Sequence, residues 1–174
     1  VTAADALHEL RLLLRTLRRA APELALDVTQ TTGLGHVVTD LGAAVRAVSD
    51  DIAAAGFDIT YQCGGDASPT RSQASTLSRV AREMGANVVR HAEPNAPVTM
   101  TLRLGPEAIR LVSTNRIRMT PGDLPHSGSG VLGMRERLTA IGGELTTLAD
   151  DGAWIVTATV PVASTRTPLP GSES

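Results

Sequence analysis

Residues 97–115, PVTMTLRLGPEAIRLVSTN, contain the pattern from which the fold class follows. Apolar and polar residues alternate along the first half, as they do in a strand that is buried on one face only. Gly105 and Pro106 then predict a turn, and Ile109 and Leu111 begin the return strand. The stretch therefore predicts an antiparallel hairpin near the middle of the chain.

On the N-terminal side of this hairpin, two helical patterns flank one short strand. Residues 70–91 and residues 36–55 each place apolar side chains on one helix face. Between them, Phe57, Ile59 and Tyr61 alternate with polar residues, which is typical of a half-buried strand.

On the C-terminal side, residues 115–130 contain several Gly and Pro residues and predict a long loop. A helix over about 131–141 follows, ended by a Gly-Gly pair. ELTTLA and AWIVTATVPV then predict two closing strands. The whole order predicts an α/β (α+β) two-layer sandwich, in which helices cover one face of a mixed sheet.

The two ends of the chain differ from this central domain. Residues 4–20 predict an amphipathic helix, which fits either a helix lying on its own domain or one helix of a bundle whose partners are missing. Since the chain begins inside this pattern, we expect it to be a piece of a longer protein. The predicted divisions are a helical segment, a linker, a central domain and a disordered tail, at residues 1–21, 22–35, 36–162 and 163–174.

The composition excludes several classes of partner. A net charge of -2 gives no electrostatic reason to expect nucleic acid or an anionic membrane, and 2% aromatic residues provide no platform for stacking bases. A single cysteine, Cys63, excludes an intrachain disulfide and suits a reducing compartment. No apolar run reaches the roughly 18 residues that span a bilayer. We therefore expect a cytoplasmic segment with no membrane contact of its own.

A row of polar residues lies within residues 81–92, AREMGANVVRHA. Glu83, Asn87 and His91 are each four residues apart, so they share one helix face with Arg90 beside them. Carboxylate and amide oxygens suit Mg²⁺, and an arginine can neutralise phosphate charge. A solvated polar helix face would produce the same spacing without any ligand.

A second candidate element is SGSGVLGMRERL, a glycine-rich loop predicted to run into a helix. Gly128, Gly130 and Gly133 follow G-x-G-x-x-G spacing, which lets backbone N–H groups approach an anion at a helix N-terminus. Dinucleotide-binding folds use the same spacing, but directly after the first strand of a βαβ unit. Here the motif follows a long loop and several strands, which disfavours that interpretation.

Together the two elements resemble the sensor histidine kinases of two-component systems. REMGANVVRHA is similar to their asparagine box, and GSGVLGMRERLTAIGGEL to their second glycine box and the helix behind it. The GMRERL…GGEL form is typical of the nitrate-sensor-like subgroup common in actinobacteria. The resemblance covers about residues 4–162, from the end of the second helix of a dimerisation and phosphoacceptor domain to the closing strand VTATVPV.

The resemblance implies a GHKL (Bergerat) ATPase fold that binds ATP with Mg²⁺ under a lid. The domain would pass the γ-phosphoryl group to a histidine and then to a response regulator, within a homodimeric, membrane-anchored sensor. None of His8, His36, His91 and His126 matches the phosphoacceptor, which in the family lies upstream of this segment. This fragment is therefore expected to bind nucleotide without autophosphorylating.

The resemblance also assigns roles to single residues. Asn87 would hold Mg²⁺, and Glu83 would assist the acceptor histidine or the metal shell. The residues implied to face the phosphates, or to form the phosphate-side end of a lid over residues 115–130, are Arg90, His91, Gly128, Gly130, Gly133 and Met134.

The sequence departs from the family at the adenine end of the site. An Asp-x-Gly-x-Gly box is missing after the hairpin, where Asn115 or Thr114 is the nearest polar substitute, and Gly152-Ala153 replaces the usual Gly-Thr. These departures predict weaker ATP binding, or recognition of adenine through Asn115. Two alternatives stay open: a degenerate, non-catalytic regulatory domain, and an anti-sigma-factor serine kinase of the same fold.

A third departure lies inside the asparagine box, where the middle residues are Met84-Gly85-Ala86. Gly85 is expected to cost its helix about 0.5–1 kcal/mol relative to Ala.

Overall fold

The computed structural model of the protein describes residues 40–118 and 128–162. The predicted N-terminal helix, the linker, the tail and most of the predicted lid lie outside these residues. No helix within the described ranges combines the length and the hydropathy that crossing a bilayer requires. The elements, in chain order, are α1 (Leu41–Ala54), β1 (Ile59–Gly65), α2 (Arg71–His91), β2 (Val98–Leu104), β3 (Ala108–Arg116), α3 (Gly128–Thr139), β4 (Glu144–Asp150) and β5 (Ala153–Pro161).

The five strands form one mixed sheet in the order β1-β2-β3-β5-β4. β1 and β2 are parallel, and the other neighbours are antiparallel. The predicted hairpin is present as β2 and β3, and its turn is closed by Gly105 N–H donating to the Ala108 carbonyl at 3.1 Å. The crossover between the parallel strands β1 and β2 is made by α2, because two parallel neighbours cannot be joined by a tight turn.

One face of the sheet is buried under the helices. In β2 and β3 the buried side chains occur at every second residue, so they share that face. They join the buried residues of all three helices in one apolar core. Together with the mixed sheet, this confirms the predicted two-layer architecture.

α2 begins at a cap that the local sequence provides. The Thr70 hydroxyl accepts from Gln73 N–H at 3.2 Å, and the Gln73 side chain accepts from Thr70 N–H at 3.0 Å. This reciprocal pair is a capping box, which satisfies backbone donors that would otherwise lack partners. The helix then buries an apolar face that includes Leu77, Met84 and Val88.

The C-terminal end of α2 is attached to the end of β3. Glu93 N–H donates to the Arg116 carbonyl at 2.8 Å, and Arg118 N–H donates to the His91 carbonyl at 2.8 Å. Between these two bonds, Ala92 and Ile117 form an antiparallel bridge. The end of α2 is therefore held beside the last residues of β3.

Tyr61 attaches β1 to the first turn of α1. Its hydroxyl donates to the Gly42 carbonyl at 2.9 Å, and the Arg46 guanidinium carbon lies 5.2 Å from the centre of its ring. Burial raises the pKa of Tyr61 far above its ordinary value, and the neighbouring Cys63 adds to the effect. The hydroxyl therefore stays protonated and remains a donor. Cys63 itself is exposed.

Gly85 lies where α1 and α2 approach each other. A Cβ atom added to this buried glycine would lie 2.6 Å from Val48 Cγ1. That separation is far inside van der Waals contact, and the branched Val48 side chain has little rotamer freedom in a helix. The glycine that costs the isolated helix stability therefore permits the close packing of two helices.

The prediction that Gly128 and Gly130 lie in a loop is wrong. α3 begins at Gly128, about three residues before the predicted start, so Gly128, Gly130 and Gly133 are all helical. Each glycine costs a helix about 1 kcal/mol. Tertiary burial opposes this cost, because α3 packs Met134 and Leu138, both fully buried, into the core.

Gly85→Ala should lower the free energy of unfolding by about 1–3 kcal/mol, because the added methyl group overlaps Val48 and this outweighs the gain in helix propensity. Urea denaturation measures the change. Gly133→Ala is the matched control, since its new Cβ would meet only the mobile end of the exposed Arg137, at 3.2 Å from Nη1. It should leave stability unchanged or raise it. A Gly85→Ala variant as stable as the parent would contradict the close helix packing.

Candidate functional site

The polar face of α2 meets the first turn of α3. A Cβ added to Gly130 would lie 2.8 Å from Glu83 Oε1 and 3.7 Å from Asn87 Oδ1. The structure therefore brings together an acid, an amide and a glycine that sequence reasoning selected from two separate motifs. Because Gly130 has no side chain, the α3 backbone can lie against the carboxylate oxygen of Glu83 and the amide oxygen of Asn87.

The two charged side chains of this face, Glu83 and Arg90, form an ion pair. Arg90 Nη2 lies 3.5 Å from Glu83 Oε1, with side chains 53% and 25% exposed. A pair this exposed contributes little to stability. Arg90 is therefore near the site and largely open to solvent. His91, the last residue of α2, is also exposed, and its carbonyl is used in the attachment to Arg118.

Gly133 and Met134 do not join this cluster. The nearest atom to a Cβ added at Gly133 is Arg137 Nη1, on α3 itself. Met134, which the resemblance assigns to the nucleotide, is fully buried and packs in the core. In this structure Met134 thus anchors α3 in the core, and Gly130, unlike Gly133, lies against Glu83 and Asn87.

The structure distinguishes between the two polar substitutes for the missing acidic residue. Asn115 lies on the inner face of the sheet and is buried, whereas Thr114 lies on the opposite face, paired with Thr99 and Ile155. The Asn115 Nδ2 donates to the Arg116 carbonyl at 3.1 Å. This bond turns the amide so that Oδ1 is the atom directed away from the carbonyl. Asn115 is therefore the candidate on the helix side of the sheet, and it presents an acceptor.

Ser113 is a residue that the sequence analysis did not select. It is buried one strand repeat before Asn115 on the same face. The sequence did contain a signal. Ile109 and Leu111 mark the inward positions of the strand, and the next inward position is a serine. Its hydroxyl has no hydrogen-bond partner among the described residues.

Glu83 and Asn87 offer hard oxygen atoms, which fit Mg²⁺. Within residues 40–118 and 128–162, no group of three or more His, Cys, Asp or Glu side chains is placed to hold a metal ion. Mg²⁺ commonly takes one or two protein oxygens and completes its shell with water and substrate phosphates. The donor set therefore fits a cation that arrives together with a phosphate ligand.

No protein-family model matches the chain, and no curated protein matches it in sequence. Solved histidine kinase domains do match its structure. The chain has the fold of a histidine kinase catalytic domain.

Three of these structures illustrate the likeness. The nucleotide-free catalytic domain of histidine kinase ThkA has a TM-score of 0.55 at 14% identity, covering 70% of this chain and 92% of that one. Histidine kinase AdeS of Acinetobacter baumannii has a TM-score of 0.58 at 16% identity, covering 91% and 83%. The histidine kinase domain of the blue-light activated kinase EL346 of Erythrobacter litoralis has a TM-score of 0.55 at 20% identity, covering 76% and 67%.

A double-mutant cycle should show that Glu83 and Arg90 are not retained for stability. Glu83→Gln, Arg90→Gln and the double variant should give a coupling free energy of unfolding below about 1 kcal/mol, because the pair is exposed and screened. Thermal or urea unfolding at low and high salt measures it. A coupling of about 2 kcal/mol or more would show that the pair is a structural element.

Proposed function

We propose that residues 36–162 are the ATP-binding catalytic domain of a two-component sensor histidine kinase. The domain would transfer the γ-phosphoryl group of ATP to a histidine upstream of this segment, from which a response regulator would take it. The observation that carries the proposal is the approach of Gly130 to Glu83 and Asn87 within this fold. The nitrate-sensor-like subgroup, a homodimeric full-length protein and a cytoplasmic location are parts of the same proposal, and they rest on the sequence motifs.

The phosphate end of the site would work by positioning and charge. Asn87, with Glu83 nearby, would hold the Mg²⁺ that comes with the nucleotide, and that ion would neutralise phosphate charge when bound. Arg90 and His91 lie at the end of the same helix face for the remaining phosphate oxygens. Backbone N–H groups in the first turn of α3 point towards its N-terminus, where they favour an anion.

Glu83 has a second proposed role towards the acceptor histidine. Its carboxylate could accept a hydrogen bond from the imidazole N–H, which would orient the ring nitrogen that attacks the phosphorus atom. Phosphoryl transfer depends largely on such positioning. The half-exposed pair with Arg90 leaves the carboxylate free to change partner at small cost.

The base would be read by Asn115. Its amide is held by the Arg116 carbonyl, so Oδ1 can accept from the 6-amino group of adenine. Guanine carries a carbonyl at that position. Its oxygen and Asn115 Oδ1 are both acceptors, so they cannot form a hydrogen bond with each other. A neutral amide forms a weaker hydrogen bond than an ionised carboxylate. We therefore expect selectivity for ATP together with modest affinity.

The adenine end also supports a second candidate, a degenerate domain that regulates without catalysis. Asn115 replaces an acidic residue, and Gly152-Ala153 lacks the usual threonine. An anti-sigma-factor serine kinase would share this fold, but the helical pattern at residues 4–20, outside the described residues, argues against it. Nucleotide binding separates the first candidate from the degenerate one.

ATP should bind the purified chain in the presence of Mg²⁺. The single tryptophan, Trp154, is the cross-strand partner of Asn115, so its fluorescence should report occupation of the base end. Asn87→Ala should lower ATP affinity about tenfold with Mg²⁺ and much less with EDTA, because it removes a ligand of the metal. Absence of ATP binding at millimolar concentrations would reject the kinase proposal and favour the degenerate domain.

Asn115→Ala should reduce the preference for ATP over GTP by about tenfold, since it removes the acceptor that distinguishes the two bases. Calorimetric titration with both nucleotides measures the ratio. Thr114→Ala, on the other face of the sheet, is the control and should leave the ratio unchanged. Equal effects of the two substitutions would show that Asn115 does not read the base.

A further inference from the structure

Ser113 carries the one buried side-chain oxygen or nitrogen that lacks a hydrogen-bond partner in the described part of the chain. The residue is 2% exposed. Buried hydroxyl groups in folded proteins nearly always have a partner, because an unmet donor and acceptor is costly once water is removed. An exception of this kind requires a physical reason.

The surroundings of Ser113 place it beside the proposed base-reading residue. Its cross-strand partners are Met100 in β2 and Val156 in β5, neither of which offers a strong hydrogen-bonding side chain. Asn115 follows on the same face of β3, at a spacing of about 6.5–7 Å along a strand. The fixed amide and the unpartnered hydroxyl therefore lie two residues apart on the helix-covered face of β3.

A second buried serine shows how this fold treats a hydroxyl that serves only structure. Ser49 in α1 is also buried, at 4% exposure, but its hydroxyl donates to the Val45 carbonyl at 3.1 Å. Its Oγ also lies 3.8 Å from the sulfur of Met100, the same methionine that pairs with Ser113. One hydroxyl beside Met100 is satisfied by the chain itself, and the other is not.

We propose that Ser113 is a nucleoside-recognition residue: its hydroxyl is buried in the unbound chain, and rotation about the Cα–Cβ bond on binding turns it to the purine base, or to one water molecule on the base, beside Asn115. This inference rests on the proposed ATP-binding function and adds a residue to that site. A hydroxyl is both donor and acceptor, so it can match either kind of group on a purine edge. The bound base supplies the partner that the protein does not, so the contact strengthens binding and not the unbound fold.

Ser113→Ala tests the proposal, because its effects on stability and on binding should have opposite signs. The unbound variant should melt at the same temperature or higher, since an unmet buried hydroxyl is removed. Its affinity should fall about five- to tenfold for ATP and equally for ADP, because the contact is with the base and not with the γ-phosphate. Ser49→Ala, whose hydroxyl has its own partner, should bind both nucleotides like the parent.

The outcomes separate this inference from the function on which it rests. A parent that binds ATP, together with a Ser113→Ala variant of unchanged affinity, overturns the role of Ser113 alone. A parent that binds no nucleotide overturns both. An equal loss in Ser49→Ala overturns the inference too, because the cause would then be packing. If Ser113→Ala is unstable, Ser113→Cys provides a second test. Its thiol has a similar size but is a weak hydrogen-bond donor, so this variant should show the same loss of affinity.

A double-variant measurement asks whether Ser113 and Asn115 act on one base. Ser113→Ala combined with Asn115→Ala should lower ATP affinity by less than the product of the two single effects, because both variants weaken the hold on the same group. Independent, multiplicative effects would contradict a shared contact.

Discussion

The site depends on the backbone pairing between the end of α2 and the end of β3. Two hydrogen bonds and one antiparallel bridge attach residues 91–93 to residues 116–118. Because α2 packs on the sheet, this attachment also fixes the position of the helix that carries Glu83 and Asn87. The phosphate end and the base end of the proposed site are thereby held on one frame, although they come from separate motifs.

Two glycines adjust how closely other helices approach α2. Gly85 allows α1 to lie against its buried side, where a methyl group would overlap Val48. Gly130 allows α3 to lie against its polar side, next to Glu83 and Asn87. Glycine has a cost for helix stability in both places. As a result, α1 packs closely against the buried side of α2, and the Glu83 and Asn87 side-chain oxygens lie against the α3 backbone on the other side.

The inner face of β3 changes from apolar to polar along its length. Ile109 and Leu111 are fully buried in the core, whereas Ser113 and Asn115 place polar atoms on the same face. A polar residue at such a position lowers stability unless its hydrogen bonds are made. The Asn115 side chain donates one bond to the Arg116 carbonyl, and the Ser113 hydroxyl has no partner among the described residues, so this end of the strand is less well satisfied than the apolar end.

Short-range patterns determined much of this protein from the sequence alone. The position of α2, the shared face of Glu83 and Asn87, and the hairpin with its Gly105 turn follow from a period of 3.6, a period of two and a Gly-Pro turn, which need no distant contact. The strand order, with β5 between β3 and β4, was not readable, because pairing of distant strands depends on packing over the whole core. The start of α3 was misjudged for the same reason, since burial of Met134 and Leu138 outweighs the poor helix propensity of three glycines. Only the tertiary structure placed Gly130 against Glu83 and left the Ser113 hydroxyl without a partner, because both are relations between surfaces that meet only when the chain is folded.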